Sequence, residues 1–283
     1  MKRLVLIDGH AVIYRAYHAL PKSLTDSKGK PINAVYGFTR MLFKIFSDLK
    51  PTYLAAAFDL PEPTFRHKLF KEYQATRPKA DDDLIAQIEP IHKMVKSFDI
   101  PIFEKSGFEA DDVIGTLAKR AAKKLEIIII TGDKDIFQLI DKKTKVYALQ
   151  RGIFGGELID EKRVKEILGI KASQVVDYKA LVGDPSDHYP GVNGIGPKTA
   201  IKLLKEFGSL EEIMKEFNKE KKKAALLSQK LAKIKKDVKL DFCLKECRIN
   251  YDKEKVRKAL EKFGFKSLIK KLEEGEREQM KLI

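Results

Sequence analysis

Short, wholly apolar runs alternate along this chain with stretches whose apolar residues recur every three or four positions. RLVLI at residues 3–7, TYLAAAF at 52–58, EIIII at 126–130 and KVYAL at 145–149 predict buried strands. Helical spacing runs through Tyr14, Tyr17 and Leu20, over residues 35–49, and through Val113, Ile114, Leu117 and Ala118. Strands apolar on both faces and separated by helices predict an α/β fold: a mostly parallel central sheet covered on both sides. The alternation breaks at residues 60–100. There Arg66, Lys68, Lys71, Arg77 and Lys79 interleave with Phe65, Phe70 and Tyr73, and this stretch reads as an insertion. From residue 173 onward the pattern is almost wholly helical, and residues 275–283 read as a frayed tail. The expected organisation is an α/β core over residues 1–172 and a helical region over 173–283, with no internal repeat.

The chain has 283 residues, 43% of them hydrophobic, enough for a sizeable core. No apolar run approaches the roughly 20 residues of a membrane span. The N-terminus enters a strand directly, so no secretion signal is expected. Cys243 and Cys247, four apart, are expected on one helix as reduced thiols, and a cytoplasmic location is the expectation. Lysine and arginine number 56 against 41 acids, a formal charge of +15, which points to a polyanion, most commonly nucleic acid. The excess is concentrated in residues 219–271, with 19 basic and 7 acidic residues, either a duplex track or a solvated surface.

The acids change the picture. Asp8, Asp59 and Asp133 each fall at the C-terminal end of a predicted strand, the edge where parallel sheets place their sites. Asp135 follows closely, and Glu109, Asp111 and Asp112 open a helix. Singly, such residues are ordinary turn formers and caps. Converging on one edge, they repel one another unless cations are bound. With no histidine or cysteine at ligand spacing, an all-oxygen site suits Mg²⁺ or Mn²⁺. In a basic protein that combination suggests phosphodiester hydrolysis by two ions about 4 Å apart. Asp184 and Asp187 could reach the second ion.

GVNGIGPKTA at residues 191–200, with helices on both sides, is a helix-hairpin-helix pattern spanning about 174–207. Gly191, Gly194 and Gly196 permit a tight turn, and free N–H groups at the start of the next helix can hold a phosphate of the DNA backbone. Lys198 and Lys202 add charge.

These motifs together resemble the 5′–3′ exonuclease/flap endonuclease family, and most closely its form at the N-terminus of bacterial DNA polymerase I. LVLIDGHAVIYRAYHAL, AVYGFTRMLFKI, AAAFDLPEPTFRHKLFKEYQATRP, GFEADDVIGTLAKRA, ITGDKDIFQL and LVGDPSDHYPGVNGIGPKTAIKLL carry the resemblance over nearly the whole chain. It implies a PIN-like nuclease core, with one metal at Asp8, Asp59, Glu109 and Asp111, Asp112 close by. It implies a second metal at Asp133, Asp135, Asp184 and Asp187. Residues 60–100 would form a helical arch, with Arg77 on the phosphates and Tyr14, Arg15, Arg66, Lys68, Lys71 and Tyr73 as further DNA contacts. The hairpin, with Gly191, Gly194, Gly196, Lys198, Thr199 and Lys202, would grip the duplex and could hold K⁺. The implied substrate is DNA with a 5′ end or flap at a single-strand/duplex junction, RNA primers included. Primer removal and repair are the implied roles. A monomer acting beside a separate DNA polymerase, as a stand-alone enzyme, is the further expectation.

Two positions depart from the family pattern. Gln74 follows Tyr73 where a lysine is usual, and His188 stands where GDxSDN has asparagine. The first puts the cleavage rate in question. The second predicts an unusual pH dependence. A catalytically weak protein that binds branched junctions is the alternative these departures leave open.

Overall fold

The computed structural model describes residues 2–149 and 155–280. Strand β1 (Arg3–Asp8) leads into α1 (Gly9–Ala19) and α2 (Asn33–Leu49), and β2 (Tyr53–Ala57) follows. Helices α3 (Phe65–Leu69) and α4 (Asp82–Ser97) connect to a two-residue β3 (Ile102–Phe103). Then come α5 (Ala110–Ala121), β4 (Glu126–Thr131), β5 (Thr144–Leu149) and β6 (Gly156–Ile159). The remainder is helical: α6 (Glu161–Leu168), α7 (Val175–Val182), α8 (Pro197–Phe207), α9 (Leu210–Lys215), α10 (Lys219–Ala232), α11 (Lys253–Lys262) and α12 (Lys266–Met280).

The six strands lie in the order β3-β2-β1-β4-β5-β6, parallel except for the antiparallel β6. Alternate strand residues feed two cores. Leu4, Leu6, Ile127 and Ile129 face α5 and the helices from α7 to α10. Val5, Ile7, Ile128 and Ile130 face α1, α2, α4, α11 and α12. The order reverses direction at β1, so the crevice at its C-terminal end is the natural site of this sheet. At that end Gly9 lets β1 approach its neighbour: a Cβ there would lie 2.3 Å from the Phe58 ring.

Four expectations need correction. Helix α4 is not part of an insertion: Leu84, Ile91, Met94 and Val95 are buried in the sheet's second core. Helices α11 and α12 do not stay with the hairpin region but return to that same core through Val256, Leu260, Phe265 and Leu268. Cys243 and Cys247 do not share a helix. Their segment runs as extended chain and turn along β2, with Leu54 N–H donating to Cys247 O (2.8 Å) and Ile249 N–H to Thr52 O (3.2 Å). It covers an edge that the short β3 leaves open. Finally, α12 continues through residues 275–280, and only 281–283 of the expected tail lie outside the described residues.

Candidate active site

Three strand ends and one helix start build an acidic cleft of about 500 Å³, lined by Asp8, Asp59, Glu109, Asp111, Asp133 and Asp187 among others. Asp8 ends β1 and caps α1, accepting from Ala11 N–H (3.0 Å) and from the Thr131 hydroxyl (2.6 Å). Thr131 also accepts from Asp133 N–H (3.0 Å), so β4 ties the two aspartates together. Asp59, just beyond β2, accepts from Ala110 N–H (2.7 Å), and its own N–H donates to His10 Nδ1 (3.0 Å). Glu109 sits at the N-cap of α5.

The second group of acids comes from two further turns. Asp135 opens the helical turn after β4 and donates its N–H to Asp133 (2.7 Å). Asp184 and Asp187 sit on a loop between α7 and α8, closed by reciprocal backbone bonds between Asp184 and Tyr189 (2.9 and 3.1 Å). The neck of that loop requires glycine. Gly183 and Gly191 have φ of +78° and +68°, and a Cβ on either would lie 2.5 Å or less from the opposing backbone. Oxygens of Asp135, Asp184 and Asp187 all lie within 4.8 Å of one another.

The electrostatics follow from packing acids beside acids. Burial pushes the Asp8 carboxyl up to about 7, with the charges of Asp59 and Asp133 adding to it. Burial likewise raises Glu109 to about 7 against the pull of Arg66. Asp135 also reaches about 7, through burial and then Asp133. Asp111 is raised by burial and by Asp133, Asp8 and Asp59. Asp184 goes the other way: burial opposes its charge, but Lys179 and Ser186 outweigh it and hold the carboxyl below its ordinary range. Lys179 is the cation in this half. Its ammonium pairs with Asp135 (2.5 Å) and with Asp184.

The donor set fits divalent cations. Clustered carboxylates, raised first by burial and then by one another's charge, are what a hard cation relieves. An orphaned group adds to this: the Tyr189 hydroxyl is buried beside Asp135, Asp184 and Asp187 and has no hydrogen-bond partner among the described residues.

Asp112 does not join the cluster as expected. It is fully buried and held by Arg66 in two parallel bonds (2.7 and 3.0 Å), with Lys235 N–H donating as well (2.7 Å). Arg66 is therefore not a surface DNA contact. It is 2% exposed, and it also donates to Leu231 O (2.8 Å) and Lys233 O (3.2 Å), joining the arch base to the end of α10. Tyr73 is buried too, donating to Asp187 (3.0 Å) and Glu109 (3.3 Å). Arg77 is half-exposed and reaches Asp187 (3.0 Å). Lys68 and Lys71 are exposed. Tyr14 lines the acidic cleft, and it lines an adjoining cleft with Arg15, whose guanidinium donates to Leu149 O (3.1 Å).

The helix pair α7 and α8 brackets the glycine segment. Gly194 and Gly196 are exposed with Lys198, Thr199 and Lys202, and Gly196 caps α8 with Pro197 at its first position. His188 is exposed, lines neither cleft and has φ of +57°. The backbone there is left-handed, a conformation open to both histidine and asparagine. Sequence reasoning missed Lys179, whose one signal is a lysine set within the apolar stretch VVDYKALV, five residues before Asp184.

A mostly parallel sheet with a carboxylate cluster at its switch point, followed by helices that bracket a glycine turn, divides the chain into a sheet region and a helical region. The family models agree: "5′-3′ exonuclease, N-terminal resolvase-like domain" matches residues 3–169, and "5′-3′ exonuclease, C-terminal SAM fold" matches 170–255. The chain belongs to the 5′–3′ exonuclease family. It is 39% identical over 282 residues to a 5′–3′ exonuclease of Aquifex aeolicus, covering 96% of each chain. It is 40% identical over 293 residues to DNA polymerase I of Bacillus caldotenax, covering 99% of this chain and 33% of that one. The chain thus spans about a third of the length of its polymerase relatives. Among solved structures, a bacteriophage T5 flap endonuclease in a complex with DNA and metal ions superimposes with a TM-score of 0.68 at 17% identity, over 96% of this chain and 97% of that one. Flap endonuclease-1 of Methanococcus jannaschii gives 0.62 at 19% identity, over 95% and 90%. No helix among the described residues is long and apolar enough to cross a membrane.

Proposed function

We propose that this chain is a structure-specific 5′ nuclease. It hydrolyses phosphodiester bonds at 5′ ends and 5′ flaps of DNA, RNA primers included, at single-strand/duplex junctions. The observation that carries the reading is the meeting of two acid groups in adjoining clefts: Asp8, Asp59, Glu109 and Asp111 line the first, Asp184 the second, and Asp133, Asp135 and Asp187 line both. Mg²⁺ or Mn²⁺ held there would supply Lewis-acid charge to the scissile phosphate and to water. The chain's own residues do the rest. Thr131 holds the Asp8 carboxylate and the Asp133 backbone, which fixes the two strand ends side by side at the cleft. Arg77 stands at the rim with its guanidinium on Asp187, placed to meet a phosphate oxygen. The exposed N–H groups of Gly194 and Gly196, with Lys198 and Lys202, would hold the duplex backbone without reading bases. K⁺ at the hairpin carbonyls would strengthen that grip. The resemblance to DNA polymerases supports a polymerase as companion in primer removal and repair.

The test is cleavage of a 5′-labelled flap duplex with Mg²⁺ or Mn²⁺, beside Asp133→Ala and an EDTA control. Metal-dependent cut products near the junction, lost in the variant, support the reading. Tight binding without cleavage in either metal would support the junction-binding alternative.

A further inference from the structure

The two acid groups are not equivalent. In the first group Arg66 pairs with Glu109 (3.2 Å) and His10 lies 3.2 Å from Asp59, but among the described residues no basic side chain bridges two of its acids. Asp8 and Asp111, buried and crowded by like charges, make no ion pair among the described residues. Across the cleft, by contrast, Lys179 reaches in from α7 and sets one ammonium between Asp135 and Asp184. Its side chain is 20% exposed, and the two acids come from separate turns, so the ammonium is the piece that joins them. The third acid, Asp187, is engaged by Tyr73, Gln74 and Arg77. A cation placed on these oxygens must therefore replace an existing one.

We infer that Lys179 is a built-in counter-cation: it occupies the place of the second divalent ion, weakens that ion's binding, and leaves Asp135 and Asp184 only when the ion arrives. This rests on the proposed reading that Asp135, Asp184 and Asp187 hold a divalent ion. Lys179 is a positioning residue. It keeps two mutually repelling carboxylates together in the metal-free protein and makes the ion that displaces it the weaker-bound of the two. Removing a competing charge tightens the site it occupied, which is the opposite of what losing a merely structural residue would do.

The experiment is a calorimetric titration with Mn²⁺ at pH 8, without DNA, of the wild type and of Lys179→Met, Lys179→Gln and Lys179→Arg. Two classes of binding are expected in the wild type. In the Met and Gln variants the weaker class tightens by about tenfold, while the tighter class is unchanged. Arginine keeps the wild-type pattern. Two classes with the weaker one unchanged or loosened in both neutral variants would overturn this inference alone. A single class in the wild type would overturn the two-ion reading with it. A second measurement needs no variant: acetylation of Lys179, followed by peptide mass spectrometry, should rise as Mn²⁺ saturates the second class. Constant labelling across the titration overturns the displacement.

Discussion

Gln74 holds Asp187 twice: its backbone N–H donates to the Asp187 carbonyl at 3.0 Å, and its side-chain amide donates to Oδ1, also at 3.0 Å. Gln74 adopts φ of +57° to do so, with Arg77 N–H closing the turn onto its carbonyl (3.0 Å). The arch base is thus hooked onto an acid of the cleft by a neutral residue. Gln74→Ala removes one hydrogen bond to a charged group, a loss of about 1.5–3 kcal/mol where it is fully expressed. Single-turnover cleavage of a 5′-flap duplex should slow by about tenfold or more. Gln74→Lys should instead speed it, because an ammonium beside Arg77 adds attraction for the phosphate while keeping a donor on Asp187. Equal rates for all three proteins would show that the hook plays no part in the reaction.

Arg66 and Asp112 form a buried ion pair that links the arch base, α5 and the end of α10. Arg66→Ala strands Asp112 as an unpaired buried charge, which costs about 3–5 kcal/mol, whereas Asp112→Ala leaves Arg66 paired with Glu109 (3.2 Å). Both should therefore lower the urea midpoint, Arg66→Ala more than Asp112→Ala. The double variant should cost much less than their sum. If Arg66→Ala weakened DNA binding but left the urea midpoint in place, Arg66 would be a contact and not a strut.

The raised carboxyls fix the sign of a pH effect on the metal-free protein. Asp8 and Asp135 stand at about 7 against an ordinary 3.8, and Glu109 at about 7 against 4.5. Between those values the native state holds more protons than the unfolded chain, so stability falls as pH rises. In EDTA, Tm should drop from pH 5 to pH 7.5. Asp184, held below its ordinary range, acts only at lower pH, while His67 and His92, lowered from 6.5 by burial, oppose the fall but are two groups against three. Saturating Mg²⁺ or Mn²⁺ at pH 7.5 should restore Tm, since the ion binds only the native cluster. Asp135→Asn should flatten the profile. A Tm that rises steadily from pH 5 to 7.5 in EDTA would contradict the raised values.

The sequence made β1, β2 and β4 legible because each is buried on both faces and reads as an apolar run. It hid β3, only two residues long, and β6, where one residue in four is buried. Helix α4 was obscured by its acidic start and by Pro90, though Leu84, Ile91, Met94 and Val95 bury one face. The acids of the cleft were legible because strand ends in a parallel sheet share an edge. The fate of Arg66 was not, since its partner Asp112 lies 46 residues away. Nothing local separates a buried arginine from a surface one.

His188 offers a test of backbone against side chain. Its φ of +57° and exposed position make it a conformational substitution. His188→Asn should leave the pH–rate profile of cleavage unchanged and raise stability slightly, by less than about 1 kcal/mol. A shifted profile would return the imidazole to the chemistry.

The basic C-terminal third divides by the face on which each helix lies. Helix α10 packs into the first core beside the hairpin, and Leu231 and Ala232 at its end line the acidic cleft. Helices α11 and α12 pack into the second core, on the other side of the sheet. Lys221, Lys222 and Lys223 on α10 are exposed, as are Lys258, Lys262 and Lys266 on α11 and α12. On the proposed reading, duplex held by the hairpin would lie on the first side, within reach of the α10 lysines and not of those on α11 and α12. Changing those three to glutamine should lower the slope of log affinity against log salt by about one for each phosphate no longer neutralised. Changing the other three should leave the slope as it is, although net charge falls equally. Equal effects from both blocks would mean that the excess charge acts as a diffuse field and not as a track.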